Sequence, residues 1–472
     1  MGTISDKLMR IINTKEDIRQ ALISKGYDVP TSIPFKEYAK MISDLPCRVD
    51  SFPDIEGIVA RYSALGLTNE QMAANPVWVD KTGNGHDLQM KNFAWKEGSG
   101  ISDIYPGALV FDGVDDYGAC DNFPILTKEK GYTVVALRQW LSPETKTINE
   151  VLLGNFKNNP IWVAVNLAAF QFEVKYNISK IVQTNSFGIG NKITLNNNHL
   201  FSYQISNSYN GSILSIGNGD GGNFFTVGCG GDQFYSNAAI WELVFLDHDA
   251  TEEELTKIKD YFVKTYPWLF PDQAWTVTGK TNEDEDRATI ANITGNGNDL
   301  VLSNFGFAEG SGYNEEGEYA GYLVTDGVDD KIVSSIFKLG KDFTVVGEWE
   351  FLQDINNNSG LRKTSSFIIR NNASGLSLFI NRTSQATTVF NVKSLKAICS
   401  NGLLVKNDWT EQIDTVSQIV TSSNSKLSIA CRDDGVTEYD KFAFKNLAIY
   451  PMVLSKDDCI KAYNYLQTLK AK

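Results

Sequence analysis

The stretch ALVFDGVDDY, residues Ala108–Tyr117, decides the fold, because the chain repeats it as YLVTDGVDDK at Tyr322–Lys331. Other short motifs recur around it in the same order. They are TGNGHDL at 82 and TGNGNDL at 294, EGSG at 97 and 309, YTVV at 132 and FTVV at 343, and ELVFL at 242 and NLAIY at 446. The shared order and the small drift in spacing indicate a tandem duplication with insertions in loops.

The duplication predicts the domain organisation. Each copy runs for about 200 residues, and a chain of 472 residues is expected to form two or three domains. The sequence therefore predicts one domain at residues 52–270, a second at 271–472, and a separate N-terminal segment at 1–48.

Within each copy the pattern is that of β-strands. Segments such as GALVFDG and YTVVALRQW are short, rich in Val and aromatic residues, and separated by Gly and Asn. This texture predicts a mainly β protein of two tandem antiparallel β-sandwiches, each ending in one helix. Thr251 with Glu254, and Ser455 with Asp458, predict the N-caps of those two helices.

Residues 1–48 differ from the rest because their apolar residues recur at helical spacing. Short amphipathic helices bury little surface on their own. We therefore expect this segment to pack against a partner, or against copies of itself in a dimer or trimer. The apolar residues predicted to make this anchor are Ile11, Ile18, Leu22, Phe35, Tyr38 and Ile42.

Charge and composition narrow the possible partners. The net charge is −14 without a run of Lys or Arg, which argues against a nucleic-acid partner. No stretch reaches the roughly 18 apolar residues of a membrane span, and the N-terminus lacks the apolar region of a signal peptide. The six cysteines form no CxxC pair and the three histidines lack metal-ligand spacing, so we expect buried free thiols.

The two motif sets resemble the concanavalin A-like lectin/glucanase superfamily, and laminin G-like domains in particular. The stretch VDKTGNGHDLQMKNFAWKEGSG and the N-terminal NTKEDIRQALISKGYDVPTSIPFKEYAKMI look like segments of tail-fibre and head-fibre proteins of crAss-like phages of Bacteroidales. The resemblance implies a virion structural protein that binds capsid or tail proteins through its N-terminus. Its lectin-like domains would face outward and adhere to cell-surface or mucus glycans.

The repeated DGVDD stretch has three possible meanings. Gly113 and Gly327 permit a tight turn in which aspartates accept main-chain amides. A calcium loop, as in many laminin G-like relatives, would need several hard oxygen ligands. A catalytic acidic cluster is the third possibility. The calcium ligands to consider are Asp80, Asn84, Asp112, Asp115 and Asp116 in the first copy and Asp326, Asp329 and Asp330 in the second, where Asn292 replaces Asp80.

Catalysis and glycan binding make different demands on the sequence. Glucanases of the superfamily carry alternating carboxylates on one strand, and the nearest match is GEWEF, with Glu348 and Glu350. The first copy has no carboxylate there, so we expect a protein that is not an enzyme. Glycan binding needs aromatic faces in loops. Its candidates are Trp95, Phe234 and Tyr235, although Trp95 and its counterpart Phe307 also fit a packing role. The rival hypothesis is a carbohydrate-binding protein or a glycan hydrolase of the host bacterium.

Overall fold

The computed structural model describes residues 52–124, 126, 131–141, 150–154, 171–175, 182–183, 191–193, 200–205, 225–229, 235–352, 358–363, 366–372, 375–380, 388–390, 393–413, 423–431 and 439–471, together with Lys15 and Arg19. Residues Ile55–Lys472 form one compact unit, and Met1–Asp54 form another. The predicted anchor residues Ile11, Ile18, Leu22, Phe35, Tyr38 and Ile42 lie outside the described residues, and so does Phe234.

The described chain is mainly β, which confirms the predicted fold class. The strands of the first half are β1 Ile58–Ser63, β2 Val77–Trp78, β3 Leu88–Lys91, β4 Gly100–Ile101, β5 Leu109–Asp112, β6 Tyr117–Cys120, β7 Tyr132–Trp140, β8 Glu150–Gly154, β9 Gln171–Lys175, β10 Val182–Gln183, β11 Asn191–Ile193, β12 Leu200–Ile205, β13 Phe225–Val227 and β14 Asn237–Leu246. They form two antiparallel sheets. One has the order β11-β12-β7-β14-β5-β4 with β1 also paired to β14, and the other has the order β10-β9-β8-β13-β6-β3-β2. We call this pair of sheets the first sandwich.

The second half repeats the plan with longer sheets. Its strands are β15 Gln273–Thr276, β16 Thr289–Ile290, β17 Leu300–Ser303, β18 Gly312–Tyr313, β19 Leu323–Val324, β20 Lys331–Ser334, β21 Phe337–Leu339, β22 Thr344–Phe351, β23 Asn358–Lys363, β24 Phe367–Asn372, β25 Gly375–Ile380, β26 Thr388–Phe390, β27 Ala397–Cys399, β28 Leu403–Val405, β29 Glu411–Ile413, β30 Ser423–Ser425, β31 Leu427–Ile429 and β32 Phe442–Tyr450. The sheets run β18-β19-β32-β22-β27-β28-β29, with β15 on β32, and β16-β17-β20-β31-β23-β24-β25-β26, and β21 pairs with β30. We call these sheets the second sandwich.

A β-bulge interrupts the long central strand pair of each sandwich. Pairing of β14 with β7 shifts register between Ile240 and Glu242. Ile240 and Leu243 belong to the buried core between the sheets, whereas Trp241 and Glu242 do not. Two consecutive side chains, Trp241 and Glu242, therefore face outward, as expected for an extra residue in one strand. The same shift occurs in β32 opposite Glu348 and Trp349.

A helix follows the long strand of each sandwich, and both of these helices begin where the sequence predicts. Helices α2 (Glu252–Thr265) and α3 (Lys456–Gln467) follow the long strands directly, whereas the short helix α1 (Asn69–Ala74) follows β1. The Thr251 hydroxyl accepts the amide of Glu254, and the Thr251 amide donates to the Glu254 carboxylate in return, which is a capping box. Ser455 accepts the amide of Asp458 in the same way. None of the described helices is long and apolar enough to cross a membrane.

The connection between the sandwiches is buried. It contains a 3-10 helix, Pro267–Leu269, whose Trp268 is fully buried. The Trp268 carbonyl accepts the hydroxyl of Tyr450 at 2.9 Å. The Lys461 ammonium lies 4.3 Å from the centre of the Trp268 ring, within cation–π range. Because Tyr450 and Lys461 belong to the second sandwich and its helix α3, the connection is packed in place.

The described cysteines behave as small apolar residues. All five of them, Cys120, Cys229, Cys399, Cys431 and Cys459, are free and buried, as the sequence predicts. Cys47 lies outside the described residues. The Cys399 and Cys459 sulfurs are 4.0 Å apart, between β27 and α3.

A buried ion pair lies beneath helix α2 of the first sandwich. Arg61 donates to both carboxylate oxygens of Glu242, at 3.0 and 3.3 Å. The hydroxyls of Tyr261 and Tyr266 donate to the same carboxylate at 3.0 and 2.8 Å. Burial raises the pKa of Glu242, and Arg61 and the two tyrosines oppose that rise. Charged and hydroxyl groups are costly to bury unless they are paired and hydrogen-bonded, as they are in this network.

The second sandwich carries smaller residues at the matching positions. Ser63 pairs with Glu242 as Thr276 pairs with Asn446, so Ala274 replaces Arg61 and Asn446 replaces Glu242. The duplication thus supplies a natural uncharged version of the buried pair.

We predict that Arg61→Ala lowers the free energy of unfolding by about 3–5 kcal/mol, because it leaves Glu242 buried without its counter-ion. The double variant R61A/E242N, which copies the residues of the second sandwich, should lose clearly less than the sum of the two single changes. Denaturant unfolding of the three variants gives the coupling energy. Additive losses would show that the two charges do not depend on each other.

Candidate functional site

The repeated aspartates form the same turn in both sandwiches. The Asp112 Oδ1 atom accepts the amides of Val114, Asp115 and Asp116 at 2.8, 3.3 and 3.4 Å. The Asp116 Oδ2 atom accepts the amide of Asp112 at 3.1 Å. Gly113 has a φ of 73°, which glycine adopts without strain. Two carboxylates therefore fold the turn around themselves.

The second copy repeats these bonds residue by residue. Asp326 Oδ1 accepts the amides of Val328, Asp329 and Asp330 at 2.8, 3.4 and 3.5 Å. Asp330 Oδ2 accepts the amide of Asp326 at 2.8 Å. Gly327 has a φ of 78°. The turn interpretation of DGVDD is confirmed for both copies, and we call each of these five-residue stretches an aspartate turn.

Each aspartate turn also places three carboxylates close together. One oxygen from each of Asp112, Asp115 and Asp116 lies within 4.8 Å of the others, and Asp326, Asp329 and Asp330 form the matching group. Such oxygens suit Ca²⁺. Asp112 Oδ1 and Asp116 Oδ2 already accept main-chain amides. An ion in the first copy would therefore have to use the Asp115 carboxylate together with Asp112 Oδ2 and Asp116 Oδ1, and the second copy repeats this arrangement. The geometry thus accommodates calcium, which remains a prediction of the resemblance.

Burial sets the titration of the last aspartate in each turn. Asp116 is fully buried, and desolvation raises its pKa to about 6. A hydrogen bond from the Ser99 hydroxyl opposes this rise in pKa. Desolvation also raises the pKa of Asp330 to about 6. The Ser311 hydroxyl donates to Asp330 at 3.1 Å, so a serine hydroxyl bonds the last aspartate of the turn in both copies. Both groups exchange a proton near neutral pH.

The structure separates Asp80 and Asn84 from the aspartate turn with which the sequence grouped them. Asp80 Oδ1 accepts the amides of Arg61 and Thr82, each at 3.0 Å. Asn84 donates to the carbonyl of Val59 at 2.9 Å. These bonds belong to a turn of their own next to β1, so neither side chain joins the three-carboxylate group.

The matching turn of the second copy explains why either Asp or Asn serves there. Asn292 Oδ1 accepts the amides of Ala274 and Thr294 at 3.2 and 3.0 Å, which repeats the bonds of Asp80. The second atom differs, because Asp80 Oδ2 accepts the amide of His86 at 3.3 Å whereas the Asn292 side-chain nitrogen donates to the carbonyl of Gly297. The exchange of Asp80 for Asn292 therefore keeps the two shared bonds and changes the bonds of the second atom.

Three aromatic residues lie on segments that border the aspartate turn of the first sandwich. Trp95 is half-buried and stacks on Phe93, with 4.8 Å between ring centres. Asn92, in the same loop, donates to the carbonyl of Asp115 at 2.9 Å and so ties the loop to the turn. Tyr117 directly follows the turn, and its ring lies 6.2 Å from that of Tyr235. We call this region, Trp95, Asp115, Tyr117 and Tyr235, the aspartate-turn end.

Of the sequence candidates for glycan binding, Trp95 lies in the loop that bonds to the aspartate turn, and Tyr235 meets Tyr117, which follows that turn. Trp95 also packs against the core, as does Phe307 in the second sandwich, so both have the packing role as well. Tyr117 was missed. Its position directly after DGVDD was the available signal, but an aromatic residue in a strand is usually a core residue.

The second sandwich presents a different surface at this end. Phe307 replaces Trp95, and the Arg287 guanidinium lies 5.0 Å from the centre of its ring. Lys331 replaces Tyr117 at the start of β20. Of the three aromatic positions, that of Tyr117 loses its ring in the second sandwich, whereas Phe307 and Tyr439 keep the other two aromatic.

The alternating carboxylates Glu348 and Glu350 lie on the outer face of the second sandwich, since Trp349 between them belongs to the core. The Tyr322 hydroxyl donates to Glu348 at 2.6 Å, and the Lys445 ammonium lies 3.5 Å from its other oxygen. Burial raises the pKa of Glu348, but Tyr322, Lys445 and Lys396 outweigh burial and hold it below its ordinary value. Burial raises the pKa of Glu350.

No family model and no curated protein matches the chain. Among solved structures it is similar to the Trypanosoma rangeli sialidase in complex with sialic acid, at 8% identity and a TM-score of 0.29, over 48% of this chain and 40% of the sialidase. It is similar to domain 4 of AbnA, a GH43 extracellular arabinanase from Geobacillus stearothermophilus, in complex with arabinotriose, at 12% identity and a TM-score of 0.29, over 41% of this chain and 98% of that domain. A third likeness is to the binding domain of Paraclostridial Mosquitocidal Protein 1, at 12% identity and a TM-score of 0.27, over 42% of this chain and 52% of that chain. None of these likenesses identifies a family.

We predict that Asp116 and Asp330 make the protein more stable as pH falls from 7 to 5. Their folded pKa of about 6 exceeds the ordinary value of 3.8, so the folded state binds protons first, and this contribution is lost as pH rises through 6. The double variant D116N/D330N should lack this gain. Melting temperatures at pH 5, 6 and 7 measure it, and a parallel shift of both proteins would contradict the assignment.

Repeating that titration with millimolar CaCl₂ separates the turn from the calcium loop. A bound cation would lower both pKa values and remove the pH dependence from the wild-type protein. It would also raise the melting temperature at pH 7. Asp80→Asn is the matched control, because it leaves both aspartate turns intact.

Proposed function

We propose that the protein is a carbohydrate-binding protein whose first sandwich holds a glycan at the aspartate-turn end. The observation that carries this proposal is that Trp95 lies in the loop bonded to the carboxylate-lined turn, while Tyr117 follows that turn and its ring meets that of Tyr235. Sugars present C–H faces that stack on aromatic rings and hydroxyls that need acceptors. Asp115 is exposed, lies two residues before Tyr117 and supplies such an acceptor.

The rings at this end are held in place before any ligand arrives. Trp95 has a φ of 51°, a backbone conformation that few residues other than glycine adopt. Stacking on Phe93 and the Asn92 bond to the aspartate turn fix the loop that carries Trp95. A preorganised aromatic surface loses little entropy on binding, which favours affinity for weakly held sugars.

We further propose that the protein is a virion component, a head or tail fibre. Residues 1–48 would bind it to a phage capsid or tail protein, and the sandwiches would be displayed for adhesion to cell-surface or mucus glycans. The sequence resemblance to crAss-like phage fibres and the amphipathic pattern of the first residues support this. A dimer or trimer through the same segment would multiply weak sugar contacts. The alternative is a carbohydrate-binding protein or hydrolase of the host bacterium.

We expect Tyr235→Ala to weaken glycan binding roughly two- to tenfold, since one stacked ring contributes about 0.5–1.5 kcal/mol. Tyr439→Ala, at the matching position of the second sandwich, is the control and should leave the affinity unchanged. A glycan array of mucin oligosaccharides and bacterial surface polysaccharides identifies the ligand, and calorimetry measures the affinity. Equal losses in both variants would argue against the aspartate-turn end as the site.

A protein that begins at Phe52 should fold, because residues 55–472 form a compact unit of their own. We expect it to be monomeric by light scattering and to fail to co-sediment with virions, whereas the full chain should form an oligomer and co-sediment. Glycan binding per sandwich should be unchanged. If the shortened protein still associates with particles, the N-terminal segment is not the attachment site. Release of reducing sugar from the array hit, measured with the wild type and with Glu348→Gln, tests the hydrolase alternative.

A further inference from the structure

The outer faces of the two sandwiches differ in the residues they carry and in how deeply those residues are buried. In the first sandwich the outward residues Ala108, Leu137 and Trp241 are all fully buried. In the second sandwich the matching residues are Tyr322, Glu348 and Lys445. Among these, the side chains of Glu348 and Lys445 keep 19% and 28% of their exposure. At these three matched positions the first sandwich has apolar, fully buried residues, whereas the second has polar or aromatic, partly exposed ones.

The strand registers establish that these positions correspond. Ile240 pairs with Leu109 as Phe444 pairs with Leu323, which places Tyr322 where Ala108 lies. Glu242 pairs with Leu137 as Asn446 pairs with Glu348, so Glu348 replaces Leu137. Trp241 and Lys445 are the extra residues of the two bulges.

The face of the first sandwich is covered from within the chain. The Trp241 indole donates to the carbonyl of Pro106 at 2.9 Å. A Cβ atom on the neighbouring Gly107 would lie 4.0 Å from Trp268 of the connection. Tyr105 lies close enough to Tyr465 of helix α3 to add to the rise in its pKa that burial causes. The second sandwich carries polar residues on the face that its counterpart uses for packing.

Those polar residues join into a continuous strip. Tyr322 donates to Glu348, and Lys445 lies on the other side of the same carboxylate. Lys396 donates to the hydroxyl of Tyr463 on helix α3, and its ammonium lies 3.9 Å from the centre of the Tyr463 ring. The Trp409 ring meets Tyr463 edge to face at 5.2 Å. We call Tyr322, Glu348, Lys396, Trp409, Lys445 and Tyr463 the outer-face strip.

Trp409 is held in a conformation that its side chain does not favour. It ends the short turn between β28 and β29, where its φ is 63°. Its amide donates to the carbonyl of Lys406 at 3.0 Å, and Asp408 accepts the amide of Thr410 at 3.0 Å, so the turn is tightly bonded. Gly or Asn would fill this position without strain. A half-exposed indole there is poorly explained by stability.

We propose that the outer-face strip is a second saccharide-binding site, which rests on the proposed glycan-binding function. Trp409 offers a ring for the C–H face of a pyranose. The Glu348 carboxylate accepts sugar hydroxyls, and the Lys396 and Lys445 ammonium groups donate to sugar oxygens. Acceptors and donors alternate between rings over one open surface, which suits an oligosaccharide better than a compact ligand.

The same contacts would also fasten helix α3 to the sheet, and the experiment must separate the two roles. Trp409→Asn removes the ring and relieves the turn, while the hydrogen bonds of Glu348 and Lys396 remain. A fastening role predicts a lower melting temperature and unchanged affinity. A binding role predicts an unchanged or higher melting temperature and weaker binding.

The test is calorimetric titration of the array hit into the wild type, Trp409→Asn, Tyr235→Ala and the double variant. We expect Trp409→Asn to bind roughly two- to tenfold more weakly or to lose one of two sites, and the double variant to lose both. If the wild type binds and Trp409→Asn binds equally well, the strip is not a site while the proposed function stands. If the wild type binds no glycan on the array, both proposals fail.

Discussion

One extra residue in the long strand of each sandwich determines what the outer face can carry. In regular pairing, successive side chains alternate between the core and the outside. The bulges at Trp241 and Lys445 break that alternation and send two neighbouring side chains outward. The core is unaffected, because Ile240 and Leu243 still point inward on either side. The outer face thus gains a position that can vary without cost to the interior.

The two copies diverge at that outer face far more than at their turns. The aspartate turns and helix caps are nearly identical, since each depends on a few short-range hydrogen bonds that any substitution would break. The first sandwich filled its outer face with Trp241 and with the Arg61–Glu242 pair, and covered both. The second carries Lys445, Ala274 and Asn446 at these positions, and its outer face beside helix α3 is partly exposed.

The sequence predicted what is local and what is repeated. The two copies, their order and the starts of helices α2 and α3 could be read directly, because a cap or a turn spans four or five residues. The outer-face strip could not be found, since it joins strands and loops that lie far apart in the chain. Only Glu348 drew notice, for its alternation with Glu350, and its bonds to Tyr322 and Lys445 depend on long-range pairing. Asp80 and Asn84 were grouped with the aspartate turn because they precede it, whereas the fold places them beside β1.

The packed connection at Trp268 has a consequence for how the two proposed sites, the aspartate-turn end and the outer-face strip, would act together. A flexible linker lets each domain sample many separations, and the effective concentration of the second site falls as that volume grows. Here Tyr450 and Lys461 hold the connection, so the spacing between the sandwiches is set by the fold. Polymers whose repeats match this spacing would gain avidity, and those with other repeats would engage one site at a time. The chain would then discriminate between polymers by their repeat length as well as by their sugar identity.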